Sequence, residues 1–180
     1  IRQGVKDIIL ADSLGAIYQG RKRLNPIKSE IAGKTNKRKI KGGLQEAMKG
    51  ADVFIGVSAP GIVSESMIKS MNSRPIVFAM ANPMPEIMPE PAKRAGAYIV
   101  GTGRSDFKNQ INNALVFPGL FRGLLDGKIR KVTVKIKVAA AVALAYSIKP
   151  TKDKLLPLVT DKKAVRAIAD AILKLTKKNF

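Results

Sequence analysis

The chain has no cysteine, no histidine and no tryptophan. Without cysteine it forms no disulfide and offers no thiol nucleophile. Without histidine it has neither an imidazole general base nor a histidine-based metal site. Aromatic residues make up only 5% of the sequence and do not interleave with its basic runs, so no platform for stacking nucleic-acid bases is visible. No apolar run is long enough to span a membrane. The opening Ile1-Arg2-Gln3-Gly4 is not a signal peptide and lacks an initiator methionine, as in a fragment or a processed product. Acidic residues are also few: 13 against 33 Lys and Arg, for a formal net charge of +20.

What remains is a globular composition. Apolar residues make up 46% of 180, enough for one domain with a sizeable core. The basic residues crowd at Arg21-Lys22-Arg23, from Lys34 to Lys41 and from Lys128 to Lys137. Such runs suit nucleic acid or an acidic partner. The plainer reading is a solvated lysine-rich surface. The lack of interleaved aromatics sets nucleic acid aside.

Periodicity and punctuation order the chain as alternating strands and helices. Val5 to Ala11 reads as a buried strand ending at Asp12, with Gly4 before it as a helix stop, so that Ile1-Arg2-Gln3 close a preceding helix. Residues 13–26 read as a polar loop, and Ile27 to Lys39 as a weak helix with breaks at Gly33 and Asn36. Leu44 to Lys49 reads as a short helix closed by Gly50. Asp52 to Val57, Pro75 to Met80 and Ala97 to Gly101 are further strands. Between them lie helices from Ser64, as N-cap, to Met71 and from Met88 to Ala95. Beyond residue 109 the pattern turns helical: 110–126 with an interruption at Pro118-Gly119, then a helix capped by Thr133, then one capped by Asp161. Val134, Val138, Ala141 and Ala145 share one helix face, as do Val165, Ile168, Ile172 and Leu175. Both stripes are expected to face the core. Lys149 to Thr160 is a connector.

Alternating strands and helices imply an α/β fold with a parallel sheet and right-handed crossovers. The carboxyl ends of such strands converge on one crevice, where nucleotides bind. Here they carry Asp12-Ser13-Leu14-Gly15, Gly56-Val57-Ser58-Ala59-Pro60-Gly61, Ala81-Asn82-Pro83 and Gly101-Thr102-Gly103-Arg104-Ser105. No Gly-x-Gly-x-x-Gly precedes Asp12, where such a fold needs its phosphate-binding turn. The pattern is therefore a Rossmann-type doubly wound, mostly parallel sheet missing its first strand, followed by C-terminal helices. Residues 1–127 form the Rossmann-like core and 128–180 the helices. In the strand order 3-2-1-4-5-6 the missing strand is central, so its loss leaves inner edges unpaired and open to association.

Each strand end has a functional and a plainer reading. Asp12 suits the two hydroxyls of an adenosine ribose and repels a 2′-phosphate, or it begins a turn. The basic Arg21-Lys22-Arg23 softens the resulting preference for NAD over NADP. The small residues from Gly56 to Gly61 let backbone approach a flat cofactor, or make a tight turn. Asn82 aims a carboxamide at a nicotinamide ribose or a substrate carboxylate, or serves a turn. Asn109-Gln110-Ile111-Asn112-Asn113 at a helix start suits a small carboxylate, or caps the helix. Arg104 and Arg122 are supporting cations or surface charges. Glu86 and Glu90 read as a solvated helix start.

Three runs resemble the malic enzyme family. They are Gly50-Ala51-Asp52-Val53-Phe54-Ile55-Gly56-Val57-Ser58-Ala59-Pro60-Gly61, then Ile76-Val77-Phe78-Ala79-Met80-Ala81-Asn82-Pro83-Met84-Pro85-Glu86-Ile87, then Gly101-Thr102-Gly103-Arg104-Ser105-Asp106-Phe107 with Asn109 to Asn113 and Phe117 to Gly123. Nearly the whole chain is covered. The resemblance implies the NAD-binding part of an enzyme that oxidises L-malate with NAD, or NADP, and decarboxylates it to pyruvate with Mg or Mn. It implies that Asp12 binds the ribose and that Ser58, Ala59, Pro60 and Gly61 line the cofactor groove. Asn82 would serve both cofactor and substrate, and Asn112 and Asn113 the substrate. The family's catalytic Tyr and Lys, its metal ligands and its glycine-rich turn belong to an N-terminal part with no counterpart here, so the chain alone is expected to be inactive. Where short family members carry Lys, this chain has Leu14. An N-terminal catalytic domain or a separate polypeptide supplying it, a homodimeric complete enzyme and a cytoplasmic location are the further expectations, with no membrane partner. The alternative is a non-catalytic nucleotide- or acidic-partner-binding module derived from this fold.

Overall fold

The computed structural model describes residues 4–176. The helix end expected at Ile1-Arg2-Gln3 lies outside them. The chain divides into two compact units, one ending at Val100 and one beginning at Gly101.

In the first unit, β1 (Ala11–Asp12) and β2 (Gly15–Ala16) form a small antiparallel pair. Helix α1 (Pro26–Ala32) starts at Asn25, whose side chain accepts from Lys28 N, and Gly33 ends it. Helix α2 (Leu44–Met48) follows. Then β3 (Val53–Gly56), α3 (Glu65–Lys69), β4 (Ile76–Ala79) and α4 (Pro89–Arg94) alternate, followed by β5 (Ile99–Thr102), whose last two residues begin the second unit. The strands form a three-stranded parallel sheet in the order β3-β4-β5, with Val53 beside Ile76 and Gly56 beside Ala79. Ser64 caps α3 by accepting from Met67 N, as its position before an apolar run predicts. One face of the sheet packs on Met48, Ile68, Met71, Ile87 and Ala92 through Phe54, Val77 and Ala79. The other face of β3 is bare, with Val53, Ile55 and Val57 exposed. A parallel sheet is ordinarily covered on both faces.

The expected strand over Val5 to Ala11 is not in this sheet. Only Ala11 and Asp12 make ladder bonds, and Val5 is exposed. The stretch runs instead beside two loops: Asn36 N donates to Ile8 O and Ile17 N donates to Leu10 O. The reason is the absence of a neighbour. A strand in the second position of a 3-2-1-4 order needs a first strand between it and β3, and no described residues form one. The weak helix from Ile27 ends at Gly33, the first of its two expected breaks. Asn36 takes a positive φ of 50° and is buried, and its carboxamide bonds Ile17 O, Ile40 O and Ile40 N. Asn adopts this conformation at lower cost than most residues.

In the second unit, residues 109–113 do not open a long helix. A three-residue 3-10 turn (Asn113–Leu115) leads into α5 (Phe117–Asp126), followed by α6 (Val134–Ala145) and α7 (Lys162–Thr176). Pro118-Gly119 does not interrupt α5. Proline fits the first turn, where its missing N–H has no helical partner anyway. Thr133 accepts from Ile136 N, and Asp161 accepts from Lys163 N, so both expected caps are in place. The core comprises Leu115, Leu124, Ile136, Ala140, Leu144, Ala164, Ile168 and Ile172. Ile168 and Ile172 lie on the expected stripe of α7. On α6 the expected stripe is wrong: Val134, Ala141 and Ala145 are exposed and Val138 only half-buried, while Ile136, Ala140 and Leu144 are inside. This helix is apolar nearly all round, so several stripes compete. The one carrying Ile and Leu buries the most apolar area.

Candidate functional site

At the end of β1 the Asp12 carboxylate is held by two cations. Arg21 donates through Nη1 to Oδ1 at 2.8 Å and through Nη2 to Oδ2 at 2.7 Å, a bidentate pair. Lys28, from α1, donates Nζ to Oδ2 at 2.5 Å, and Leu14 N donates to Oδ1 at 3.0 Å. Arg21 is the better buried partner, with a side chain 8% exposed, whereas Lys28 is 38% exposed. Arg21 Nη1 also reaches Gly15 O, and its buried Nε has no partner. The hydrogen bonds from Arg21 and then Lys28 hold the Asp12 carboxyl well below the usual carboxylate range. The trio sums to one net positive charge, so Asp12 is not the bare anion that a strand-end aspartate implies.

A depressed folded-state pKa adds stability above the unfolded value and loses it as pH falls. Stability of the chain should therefore drop on acidification below about pH 4, the ordinary aspartate range. In Asp12→Asn that part of the drop should vanish. Thermal midpoints of both proteins, taken across this acid range, make the comparison. Equal slopes would deny the Asp12 pairing any energetic role.

After β3, Ser58, Ala59, Pro60 and Gly61 are all exposed and unencumbered by large side chains. After β4, Asn82 is exposed and precedes Pro83 across a cis peptide bond. One buried group touches both loops. Glu86, wholly inaccessible, accepts from Ser58 N at 2.8 Å through Oε1 and from Ala81 N at 3.0 Å through Oε2. The expectation of a solvated helix start therefore holds for exposed Glu90 and fails for Glu86. The available signal was its setting: Glu86 lies between Pro85 and Ile87, ahead of the Pro89 that begins α4.

In the second unit Asn112 accepts at Oδ1 from Ala114 N at 2.9 Å and caps the 3-10 turn, while Asn113 is exposed. Asn109 is structural: its carboxamide bonds Lys152 O and Leu155 N and pins the connector. Arg104 pairs with Asp106, and Arg122 with Asp126. The helix N-terminus expected to attract a carboxylate is not formed here. Among the described residues no group of three or more acidic side chains could hold a metal, and no helix is long and apolar enough to cross a membrane.

A three-stranded parallel sheet with helical crossovers, carrying small residues after β3 and an amide after β4, is the arrangement of a Rossmann-type dinucleotide-binding domain. Residues 2–177 match the family model described as malic enzyme, NAD binding domain, and the chain belongs to this family. It is 48% identical over 175 residues to a bifunctional malic/malolactic enzyme of Bacillus subtilis, covering 95% of this chain and 43% of that protein. It is 51% identical over 142 residues to an NADP-dependent malic enzyme of Rhizobium meliloti, covering 78% of this chain and 18% of that one. The solved NAD-dependent malic enzyme of Thermotoga maritima superimposes with a TM-score of 0.91 at 40% identity, over 96% of this chain and 46% of its own. The chain thus spans less than half the length of these relatives.

Proposed function

We propose that this chain is the dinucleotide-binding part of an enzyme that oxidises L-malate with NAD and decarboxylates it to pyruvate and carbon dioxide. The observation that carries the reading is the Asp12 carboxylate, paired to Arg21 and Lys28 at a strand end, in a chain of the malic enzyme family. In this reading residues 1–180 form one NAD(P)-binding domain, with a core over 1–127 and helices over 128–180. Ser58, Ala59, Pro60 and Gly61 line the dinucleotide groove. Asn82 orients the nicotinamide end and the substrate, and Asn112 and Asn113 face the substrate. The dinucleotide supplies the hydride acceptor, and the chain's own residues orient it and shield it from water. The described residues do not fit a divalent metal. The complete enzyme is read as this domain joined to an upstream catalytic part, on the same or a separate polypeptide, dimeric and cytoplasmic.

The two cations bear on coenzyme choice. A carboxylate has about four lone-pair sites, and Arg21, Lys28 and Leu14 N together take that many. A ribose diol must therefore displace a donor. Lys28 is the more exposed and gives way first. A 2′-phosphate would instead draw Lys28 toward itself and away from Asp12. NAD is the favoured coenzyme, with NADP tolerated through Lys28.

The test is a chimaera joining this chain to the upstream part of the Bacillus subtilis relative. Malate-dependent reduction of NAD with release of carbon dioxide is expected. A folded chimaera that reduces no dinucleotide with malate would overturn the function. In Lys28→Ala, kcat/KM for NADP should fall about tenfold more than for NAD, the effect of one charge-assisted hydrogen bond. Equal losses would remove Lys28 from coenzyme choice.

A further inference from the structure

Glu86 has no role in the function proposed above, yet its burial has to be explained. A carboxylate taken out of water is costly unless its oxygens are bonded. A well-packed apolar side chain would fill the same space at less cost. Both oxygens here are spent on backbone N–H groups, Ser58 at 2.8 Å and Ala81 at 3.0 Å. Those groups belong to two different strand-end loops. The backbone repeats the connection: Gly61 N donates to Pro85 O and Val63 N donates to Glu86 O.

The space for the carboxylate is made by Gly56, the last residue of β3. A Cβ built there would lie 2.5 Å from Oε1 and 2.9 Å from Oε2 of Glu86. Any other residue at position 56 would displace the carboxylate. Gly56 and Glu86 are thus one fitted pair, contributed by two separate segments.

We propose that Glu86 is a positioning residue that locks the loop after β3 to the loop after β4. Ser58 donates its own N–H to Glu86, and Asn82 directly follows the Ala81 donor. The lock fixes both residues relative to each other before any dinucleotide arrives. Binding then does not have to order two independent loops, and affinity is correspondingly higher. The inference rests on the site residues of the proposed function.

Glu86→Gln keeps the shape but offers one acceptor oxygen, and its amide NH2 faces the other backbone N–H. Gly56→Ala attacks the same contact from the opposite side and leaves Glu86 intact. Amide hydrogen exchange and amide proton shifts of Ser58 and Ala81, read by NMR on the chain, report the lock directly. NADH titration of the chimaera carrying the same substitutions reports its consequence. In both variants exchange at one or both of these amides should rise about tenfold, the effect of losing one hydrogen bond to a charged group. Exchange at Phe54 and Phe78, inside β3 and β4, should stay unchanged, and the NADH dissociation constant should rise severalfold. Unchanged exchange at Ser58 and Ala81 in Glu86→Gln overturns the lock, whatever the chain binds. Faster exchange with unchanged NADH affinity overturns the positioning role alone. A folded wild-type chimaera that binds no NADH refutes the reading of the site itself, and the positioning role with it.

Discussion

Malate and NAD added to the isolated chain should yield no NADH, at a rate at least about a thousandfold below that of the chimaera, the scale of losing positioned acid–base groups. Oxidation at malate C2 requires a base for the hydroxyl proton. The chain has no histidine and no cysteine, and its three tyrosines are poorly placed for that work. Tyr98 is covered by the Arg74 guanidinium at 3.9 Å, Tyr18 lies under Lys41, and Tyr146 is 85% exposed. The described residues also lack a cluster of acids to hold a cation that would polarise the keto oxygen. The strand-end acids are engaged as well, Asp12 by Arg21 and Lys28 and Asp106 by Arg104. NADH absorbance with saturating malate is the measurement. Malate-dependent NADH formation by the isolated chain within tenfold of the chimaera would show that the chain carries acid–base groups of its own.

The second large effect is on stability. Gly119 and Gly123 lie one turn apart on α5 and face α7 at backbone distance. A Cβ at Gly119 would sit 2.6 Å from Val165 O and 2.7 Å from Ile168 Cβ. At Gly123 it would meet Ile172 Cβ at 2.9 Å and Ala169 O at 3.0 Å. These neighbours are backbone and the first side-chain atoms of buried isoleucines, so neither helix can yield without moving as a whole. Gly119→Ala and Gly123→Ala should each lower stability by about 1–3 kcal/mol, the usual cost of overpacking, despite alanine's better helix propensity. The double variant should depart from additivity, because both sites press on one interface. Gly33→Ala is the control. Gly33 has an ordinary φ of −71° and room around it, so alanine there should be neutral or slightly stabilising. Urea midpoints of the four variants and the wild type decide the matter. Equal midpoints at 33 and 119 would mean that α5 and α7 are not in close contact.

Element order was readable from the sequence because apolar runs and their stops are local. Ser64, Thr133 and Asp161 each cap the helix that their position announces. What depended on distant partners was less legible. Val5 to Ala11 has the composition of a strand, but a strand exists only with a neighbour to bond. α6 has an apolar pattern without a preferred period, so its inward face is chosen by α7 and not by its own sequence. Asp12 stood out as a strand-end acid, yet its neutralisation by Lys28, sixteen residues on in a different element, leaves no local trace. Glu86 was misread because a charged residue beside a helix start is ordinarily solvated. Only the missing side chain at Gly56, thirty positions away, reveals the space it fills.

The near-uniform α6 has one more consequence. A helix whose circumference is almost all valine, alanine, isoleucine and leucine has little to distinguish one rotation about its axis from the next. Its orientation is set from outside, by the Thr133 cap at one end and the isoleucines of α7 alongside. Substitutions among small aliphatic residues on its outer side are then nearly silent in this chain. They can accumulate without loss of fold, and a new contact surface can arise there by drift alone. By contrast, the glycine side of α5 is closed to such change, since every added carbon meets backbone. The two neighbours of α7 would thus diverge at very different rates, one free to vary and the other held by close packing.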